Sequence, residues 1–288
     1  MITVLAIGGN ALDNSKNLGN LLEAIYNLSQ KGGLIITHGN GPQVGVLANL
    51  ESESLGVLTA QTEAEMGAFL EEEILKYFKR RGKAAKVETI LTRVLVNPGD
   101  PSFKSPTKPI GKFLTKSQAQ KAMQKYAVRK LVGGYRRVVA SPKPVRILNL
   151  GSIASLLSKK YIVIAGGGGG IPVFYRRGRF EFADAVIDKD YTSSLIAKSV
   201  GAGNLFILTN VDYAYLDFGK KSGRAILQIK PRELSKYLKQ NHFEEGSMFP
   251  KVSACLDFVR STRMVAAIGN LKKAKQVIGL KGCTVVRP

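Results

Sequence analysis

The sequence predicts an α/β protein in which helices cover both faces of a mainly parallel sheet. Short apolar runs alternate along the chain with segments whose apolar residues recur at helical spacing, and this alternation is typical of such sheets. Three of the apolar runs lead directly into glycine-rich turns. The chain has 288 residues, 44% of them hydrophobic, which is enough to bury one large core without a disulfide or a structural metal.

In the first part of the chain, the spacing of apolar residues predicts alternating strands and helices. Residues 18–30 have helical spacing and stop at Gly32 and Gly33, and glycine commonly ends a helix. Residues 3–7 form a continuous apolar run, as expected of a strand that is buried on both faces. We predict strands at 3–7, 34–37 and 88–96, and helices at 18–30, 44–50 and 60–81.

A proline-rich segment at 97–144 interrupts this alternation. Its first part, 97–111, contains four prolines and two glycines, so it cannot form a regular helix. A small polar helix is predicted at 115–125, and a strand or hairpin arm at 133–144. We therefore predict a single domain over 1–288, with a small lid at 97–144 that leaves the main sheet.

The alternation returns after this segment and continues to the end of the chain. We predict helices at 152–158, 190–200, 231–240, 251–260 and 271–277, and strands at 161–165, 204–209, 264–268 and 283–286. Ligands of parallel α/β sheets bind at the carboxyl ends of the strands. We therefore expect a ligand site at the turns that follow the strands.

The three glycine-rich turns that follow strands are candidate phosphate-binding loops. Glycine lets the backbone approach a ligand, so that amide groups can point at phosphate oxygens. One such turn could be an ordinary tight connection, but three in one sheet indicate a polyanionic ligand. They match neither the P-loop pattern nor a dinucleotide fingerprint. Their candidate residues are Gly8, Gly9, Asn10, Gly39, Asn40, Gly41, Gly166, Gly167, Gly168 and Gly169.

Three lysines stand where proline or glycine fixes the backbone around them. Lys108 lies between prolines, Lys189 lies between Asp188 and Asp190 just before a helix, and Lys251 follows Gly-Ser-Met-Phe-Pro. Any one lysine would ordinarily be a solvated surface charge, but phosphoryl transfer requires cations around the moving group. Asp188 and Asp190 could pair with Lys189, cap the following helix, or orient the lysines and a magnesium ion. We expect the orienting role for Asp190 and leave the three alternatives open for Asp188.

Residues 206–219 predict a strand followed by a polar and aromatic loop. This loop would suit a nucleotide base and ribose, although ordinary core aromatics give the same pattern.

The chain's cysteines, Cys255 and Cys283, have no neighbouring His or Cys, and His38 and His242 cannot complete a metal triad, so we predict no metal site in the protein. Because Gly-x-Ser-x-Gly is absent, His38 is expected to be structural.

Positive charge is concentrated in one part of the chain. The formal net charge is +22, and residues 76–146 hold 19 basic residues against two acidic ones. Such a segment attracts polyanions, so a non-enzymatic polyanion-binding protein is one hypothesis. Because the chain has no Trp and no nucleic-acid motif, we expect no nucleic-acid partner. Neither a secretory leader nor a membrane-length apolar run is visible, and we expect a cytoplasmic protein.

Taken together, these motifs resemble those of the carbamate kinases, which belong to the amino acid kinase family. The similarity is collinear and spans nearly the whole chain. Its most specific part is Pro-Thr-Lys-Pro-Ile-Gly at 106–111, because other amino acid kinases lack it. The other motifs are Gly-Gly-Asn-Ala-Leu at 8–12, Thr-His-Gly-Asn-Gly-Pro-Gln-Val-Gly at 37–45, Arg-Arg-Val-Val at 136–139, Gly-Gly-Gly-Gly-Ile-Pro-Val at 167–173, Ile-Asp-Lys-Asp at 187–190, Leu-Thr-Asn-Val-Asp at 208–212 and Gly-Ser-Met-Phe-Pro-Lys-Val at 246–252.

The resemblance implies the amino acid kinase fold, a three-layer αβα sandwich with a mainly parallel open sheet and a small protruding subdomain, assembled as a homodimer. It implies reversible conversion of ATP and carbamate to ADP and carbamoyl phosphate in arginine metabolism, with Mg²⁺ carried by the nucleotide. By the same resemblance, Lys108, Lys189 and Lys251 would contact the phosphoryl group and Asp190 would orient them. The glycine turns would hold the acceptor and phosphate, and the nucleotide would lie near Thr209, Asn210, Asp212, Tyr215 and Met248.

The chain also departs from the carbamate kinase pattern at several positions. Lys112 and Leu114 replace the usual proline and tyrosine, Tyr135 stands where tryptophan is common, and residues 60–63 match only loosely. The lysines are unaffected by these departures. They leave open a second hypothesis, in which the same fold phosphorylates an acylamino acid, a nucleoside monophosphate or an isoprenoid phosphate.

Overall fold

The computed structural model describes residues 1–8, 15–50, 53–131, 133–219 and 222–288, with the backbone alone at 15 and 16. Its strands are β1 (Thr3–Ile7), β2 (Leu34–His38), β3 (Val87–Ile90), β4 (Arg93–Val96), β5 (Lys108–Leu114), β6 (Val128–Leu131), β7 (Gly134–Val139), β8 (Pro144–Ile147), β9 (Ile162–Ala165), β10 (Ile171–Arg176), β11 (Arg179–Phe182), β12 (Asn204–Thr209), β13 (Ala214–Leu216), β14 (Arg224–Ile226), β15 (Gln228–Ile229), β16 (Val265–Asn270) and β17 (Thr284–Val286). Its helices are α1 (Ser15–Ser29), α2 (Gly41–Leu50), α3 (Leu55–Arg80), α4 (Lys116–Ala122), α5 (Leu150–Ser158), α6 (Lys189–Ser199), α7 (Pro231–Lys239), α8 (Met248–Thr262) and α9 (Ala274–Ile278).

The largest sheet has the strand order β15-β17-β16-β12-β1-β2-β9-β3. Neighbouring strands run parallel except for β16 and β17. The carboxyl ends of β12, β1, β2 and β9 therefore lie side by side at one edge of the sheet. This arrangement brings the predicted turns after four separate strands to the same place.

Two hydrophobic layers enclose this sheet, because alternate side chains of each strand face opposite sides. In β1, Val4 packs in a core with Ile196 of α6 and Phe258 of α8. Its neighbour Leu5 packs in the other core with Leu70 of α3, and α1 and α9 lie on that side as well. The predicted three-layer α/β architecture is confirmed.

The small sheet β5-β7-β6 is separate from the main sheet and comes from the predicted 97–144 segment. It rests on α2, where Ile110 of β5 packs against Val44 in a third hydrophobic core. Gly45 of α2 and Gly111 of β5 approach so closely that a Cβ on Gly45 would lie 2.0 Å from the Gly111 nitrogen. Within the described ranges, no helix has the length and apolar character needed to cross a bilayer.

The prediction of one strand at 88–96 was wrong, because the chain forms two strands in different sheets. β3 joins the main sheet, whereas β4 joins a second sheet of order β11-β10-β4-β8. The break occurs at Thr92, whose hydroxyl donates to the Ile90 carbonyl and accepts the Gly166 amide. An apolar pattern cannot reveal this break, since Thr is itself a common strand residue.

Other boundaries differ from the predictions because capping decides where helices begin and end. The helix predicted at 60–81 starts at Leu55, where the Ser54 side chain accepts the Val57 amide. The helix predicted at 251–260 begins at Met248, so Lys251 lies one turn inside it. The hairpin of β10 and β11, which turns at Arg177 and Gly178 with positive φ at both, was not predicted.

Candidate active site

The turns after β1, β2 and β9 border one cleft of about 450 Å³. Gly39 continues the strand pairing, because its amide donates to the Ile7 carbonyl. The cleft is thus a direct product of the parallel strand order. Of the predicted turn residues, those that line it are Gly8, Gly39, Asn40, Gly41 and Gly168. Gly9 and Asn10 lie outside the described residues.

The turn after β9 has a backbone path that only glycine adopts readily. Gly166, Gly168 and Gly169 have φ values of 67°, 64° and 95°, in the region that side chains rarely occupy. A Cβ on Gly168 would lie 2.1 Å from Nδ2 of the Asn40 side chain, and one on Gly167 would lie 2.3 Å from His38 Nε2. This turn therefore packs directly on the turn after β2.

Two of the predicted lysines share one carboxylate at the start of α6. Asp190 accepts from Lys189 through Oδ1 and from Lys251 of α8 through Oδ2, the latter at 2.9 Å. Asp188 caps α6 by accepting the Asp190 amide at 2.9 Å, and its other oxygen accepts from Lys108 of β5 at 3.0 Å. Lysines from three separate elements therefore converge through two adjacent carboxylates.

Burial controls the ionisation of this cluster. Burial lowers the pKa of Lys189, and Lys251 lowers it further while Asp190 opposes the effect. Burial alone would raise the pKa of Asp190, but the two ammonium groups hold it far below its usual value. Burial would likewise lower the pKa of Lys251, but Asp190 and Asp188 raise it. Asp190 is therefore ionised, and Lys189 holds its proton less tightly than Lys251.

The small sheet contributes cations that the sequence analysis did not assign to the site. Lys112 and Arg136 line the cleft beside Lys108. Arg136 donates to the Gly111 carbonyl at 2.7 Å and lies 5.4 Å from the centre of the Phe113 ring. The sequence indicated these cations only through the concentration of basic residues at 76–146. That pattern could not distinguish Lys112 and Arg136 from neighbouring basic residues that are solvated.

A second, smaller pocket of about 160 Å³ follows the end of β12. Four of the five predicted nucleotide residues line it: Thr209, Asn210, Tyr215 and Met248. Asp212 is not among its lining residues, and its carboxylate instead accepts from Asn270 at 2.8 Å and from Lys273 at 2.6 Å. Phe218, His242 and Phe243 also line the pocket. Its aromatic walls and polar rim suit a base and a sugar.

Two buried titratable groups lie behind the glycine turns. Burial lowers the pKa of His38 to about 4 and raises the pKa of Glu63 to about 8. Glu63 was missed by the sequence analysis, although Thr59, Thr62 and Glu63 place three polar side chains on the buried face of α3. Polar residues at that spacing on an apolar face were the signal that could have found it.

The cleft is lined by ammonium groups and by the glycine turns. Such a site can hold a phosphoryl group and stabilise the charge that it carries during transfer. The described residues contain no group of three or more His, Cys, Asp or Glu side chains that could hold a metal ion. Among the described residues that line the cleft, the positive charge comes from lysine and arginine side chains.

Comparison with known proteins gives consistent matches over nearly the whole chain. The Amino acid kinase family matches residues 1–270. The chain is 40% identical to the carbamate kinase of Clostridium perfringens, covering 100% of both sequences, and 35% identical to that of Thermoplasma volcanium, covering 99% of both. Its fold is similar to that of the Giardia lamblia carbamate kinase bound to AMP-PNP, with a TM-score of 0.86, 32% identity and coverage of 99% of this chain and 98% of that one.

Proposed function

We propose that this chain, which belongs to the amino acid kinase family and within it to the carbamate kinases, transfers a phosphoryl group reversibly between ATP and carbamate. In the direction of ATP synthesis, an oxygen of the ADP β-phosphate attacks the phosphorus of carbamoyl phosphate. The bond from phosphorus to the carbamoyl oxygen breaks, and carbamate leaves with the bonding electrons. The observation that carries the proposal is the convergence of Lys108, Lys189 and Lys251 beside the glycine turns.

Each cation has a distinct part in the proposed transfer. Lys189 and Lys251 bind the oxygens of the moving phosphoryl group from α6 and α8, where Asp190 holds both ammonium groups before substrate arrives. Lys108 reaches the same point from the small sheet, held by Asp188. The charge of the phosphoryl group grows on oxygens that these cations face, which lowers the barrier without covalent catalysis.

The nucleotide occupies the pocket after β12 and points its phosphates toward the glycine turns. Thr209 and Asn210 border the ribose, and the base packs between Tyr215 and Met248. Asp212, which pairs with Lys273, orders the rim rather than touching the base. Mg²⁺ supplies charge neutralisation when bound to the nucleotide phosphates. Asp188 and Asp190, the acids among the described residues that line the cleft, are already paired with lysines.

The test is ATP formation from carbamoyl phosphate, ADP and Mg²⁺, followed through a coupled hexokinase reaction. We expect the wild-type chain to form ATP and the Lys108→Ala variant to lose about 10²-fold in kcat/KM, as is common for one transition-state contact. The control is Lys275→Ala, which removes an exposed lysine that is paired with Glu23 and is not among the residues lining the cleft. A folded wild-type chain that forms no ATP refutes the proposal, and a panel of other acceptors then tests the second hypothesis.

We also propose that a second copy of the chain covers the face beside β3. Exposed apolar side chains lie there on neighbouring elements, among them Phe69 of α3, Leu91 after β3, and Phe180 and Phe182 of β11. β3 is an edge strand of the main sheet, and exposed edges favour association. Sedimentation should give a dimer, and Leu91→Glu should give a monomer. Arginine metabolism and a cytoplasmic location stay predictions.

A further inference from the structure

Two adjacent polar side chains of α3 are buried behind the cleft without lining it. Thr62 and Glu63 are 0% and 1% exposed. The Thr62 hydroxyl donates to the Leu58 carbonyl and accepts the Asn40 side-chain amide at 2.7 Å. Glu63 accepts the Gly167 amide through Oε1 at 2.9 Å and the Thr92 amide through Oε2 at 3.2 Å. One turn of a helix thus holds three segments, which follow β2, β9 and β3.

Two of these segments, the turns after β2 and β9, are also in contact with each other. Gly168 leaves no room for a Cβ beside the Asn40 side chain, so a shift of one turn requires a shift of the other. Behind them, the Gly169 carbonyl accepts from the Thr192 hydroxyl of α6 at 2.7 Å. The same helix begins with Lys189 and Asp190. The position of the turns relative to the lysines is therefore set by α3 on one side and α6 on the other.

We infer that Thr62 and Glu63 are positioning residues for phosphoryl transfer, because together they fix the turns after β2 and β9 against each other. This inference rests on the proposed function. Backbone amides stabilise a transition state only where they are aimed before the reaction starts, and a misplacement of about 1 Å can cost roughly 10²-fold in rate. Neither side chain touches substrate; each acts through the loop that it holds.

Burial favours the uncharged forms of Glu63 and His38, the two titratable groups behind the glycine turns. The buried carboxyl of Glu63, with its pKa near 8, is largely protonated at neutral pH. The neutral His38 ring lies beside it, because a Cβ on Gly167 would meet both side chains. A Gln at position 63 has nearly the same shape and keeps one acceptor oxygen, but its amide group cannot accept the second backbone hydrogen. Glu63→Gln should therefore loosen one loop without adding or removing charge in the cleft.

The experiment compares matched substitutions along one face of α3. Thr62→Val removes the acceptor of Asn40 and keeps the shape of the side chain, whereas Thr62→Ser restores the hydroxyl. The control is Thr59→Val, one turn earlier. Thr59 is equally buried, and its hydroxyl has no hydrogen-bond partner in the part of the chain that the structure describes.

We expect Thr62→Val and Glu63→Gln to lower kcat about tenfold, while the KM for ADP stays within twofold because the pocket after β12 is unchanged. Thr62→Ser and Thr59→Val should stay within twofold of wild type in kcat. Amide hydrogen exchange should accelerate at 166–169 in Glu63→Gln and not in Thr59→Val. Rates of Thr62→Val and Glu63→Gln equal to that of Thr59→Val, with unchanged exchange, overturn the inference.

Hydrogen exchange also separates this inference from the proposed function. If the wild-type chain forms no ATP but Glu63→Gln still accelerates exchange at 166–169, the carbamate kinase assignment fails and the anchoring by α3 stands as a structural fact without its catalytic role. If ATP forms and neither kcat nor exchange responds, the assignment stands and the positioning role fails. Circular dichroism confirms that each variant is folded before its rate is interpreted.

Discussion

Replacing Asp190 with Asn tests whether its carboxylate stabilises the two buried lysines of the cleft. The carboxylate is 1% exposed and accepts from two ammonium groups, Lys189 and Lys251. At about 3 Å and an effective dielectric constant of about 20, each contact corresponds to roughly 5 kcal/mol of gross Coulomb attraction. The desolvation of Asp190 offsets part of this. Removing one partner of a buried pair commonly destabilises a protein by about 3–5 kcal/mol, and we expect a loss of that size in urea unfolding.

The same substitution should change activity in a way that identifies its cause. Asp190→Asn leaves two buried ammonium groups without their shared counterion, so the pKa of Lys189, which burial already lowers, falls further. We expect kcat/KM for carbamoyl phosphate to drop by at least about 10²-fold at pH 7. The alkaline limb of its pH profile should move to lower pH, because the lysines lose their protons earlier.

The control for this substitution is Asp257→Asn. Lys198 of α6 and Asp257 of α8 join the same two helices as Asp190 and Lys251 do, at 2.6 Å, but outside the cleft and with Asp257 half exposed. Such a pair contributes about 0–1 kcal/mol, so stability and rate should change little. An Asp190→Asn enzyme with kcat/KM within threefold of wild type and an unmoved alkaline limb would refute the role assigned to the carboxylate.

Two further predictions concern the turns and the buried histidine. Gly168→Ala should abolish most activity and lower stability, because the added Cβ would meet Asn40. The control is Gly178→Ala, since Gly178 has a similarly positive φ but open space around it. This variant introduces backbone strain alone and should keep its activity in the coupled assay. His38 has a pKa lowered from 6.5 to about 4 by burial, so the folded state binds fewer protons than the unfolded state between these values. Its contribution to stability is complete above pH 6.5 and is lost as pH falls toward 4, and urea unfolding of His38→Gln should show a shallower loss over that range.

The parts of the site that the sequence predicted are those that short segments encode. A glycine at the end of an apolar strand predicts a turn at the sheet edge, and a lysine between prolines predicts a fixed backbone. Neither prediction requires knowing which residues the turn or the lysine contacts in the fold. Lys108, Lys189 and Lys251 were found in this way, and the structure brings all three to one cleft. Their catalytic roles stay a prediction that the assays above test.

The parts that the sequence did not predict depend on contacts between distant segments. Glu63 meets Gly167 across 104 positions of sequence, and nothing in residues 60–63 indicates which turn lies opposite. Thr92 divides two strands because its hydroxyl bonds to Gly166, 74 positions away. Asp212, assigned to the nucleotide by the resemblance, pairs with Lys273, 61 positions away. In each case a tertiary partner decides between conformations that the local pattern allows equally.

The charge of the cleft explains why acids are present in a site that binds anions. Among the described residues that line it are five basic side chains and two acidic ones, Asp188 and Asp190. An excess of three positive charges remains for the phosphate groups. Without the carboxylates, the pKa of Lys189, which burial already lowers, would fall further before any substrate bound. The acids therefore favour the charged form of the lysines in the free enzyme. Because Asp190 is only 1% exposed, an incoming phosphoryl group meets the ammonium groups more readily than this carboxylate.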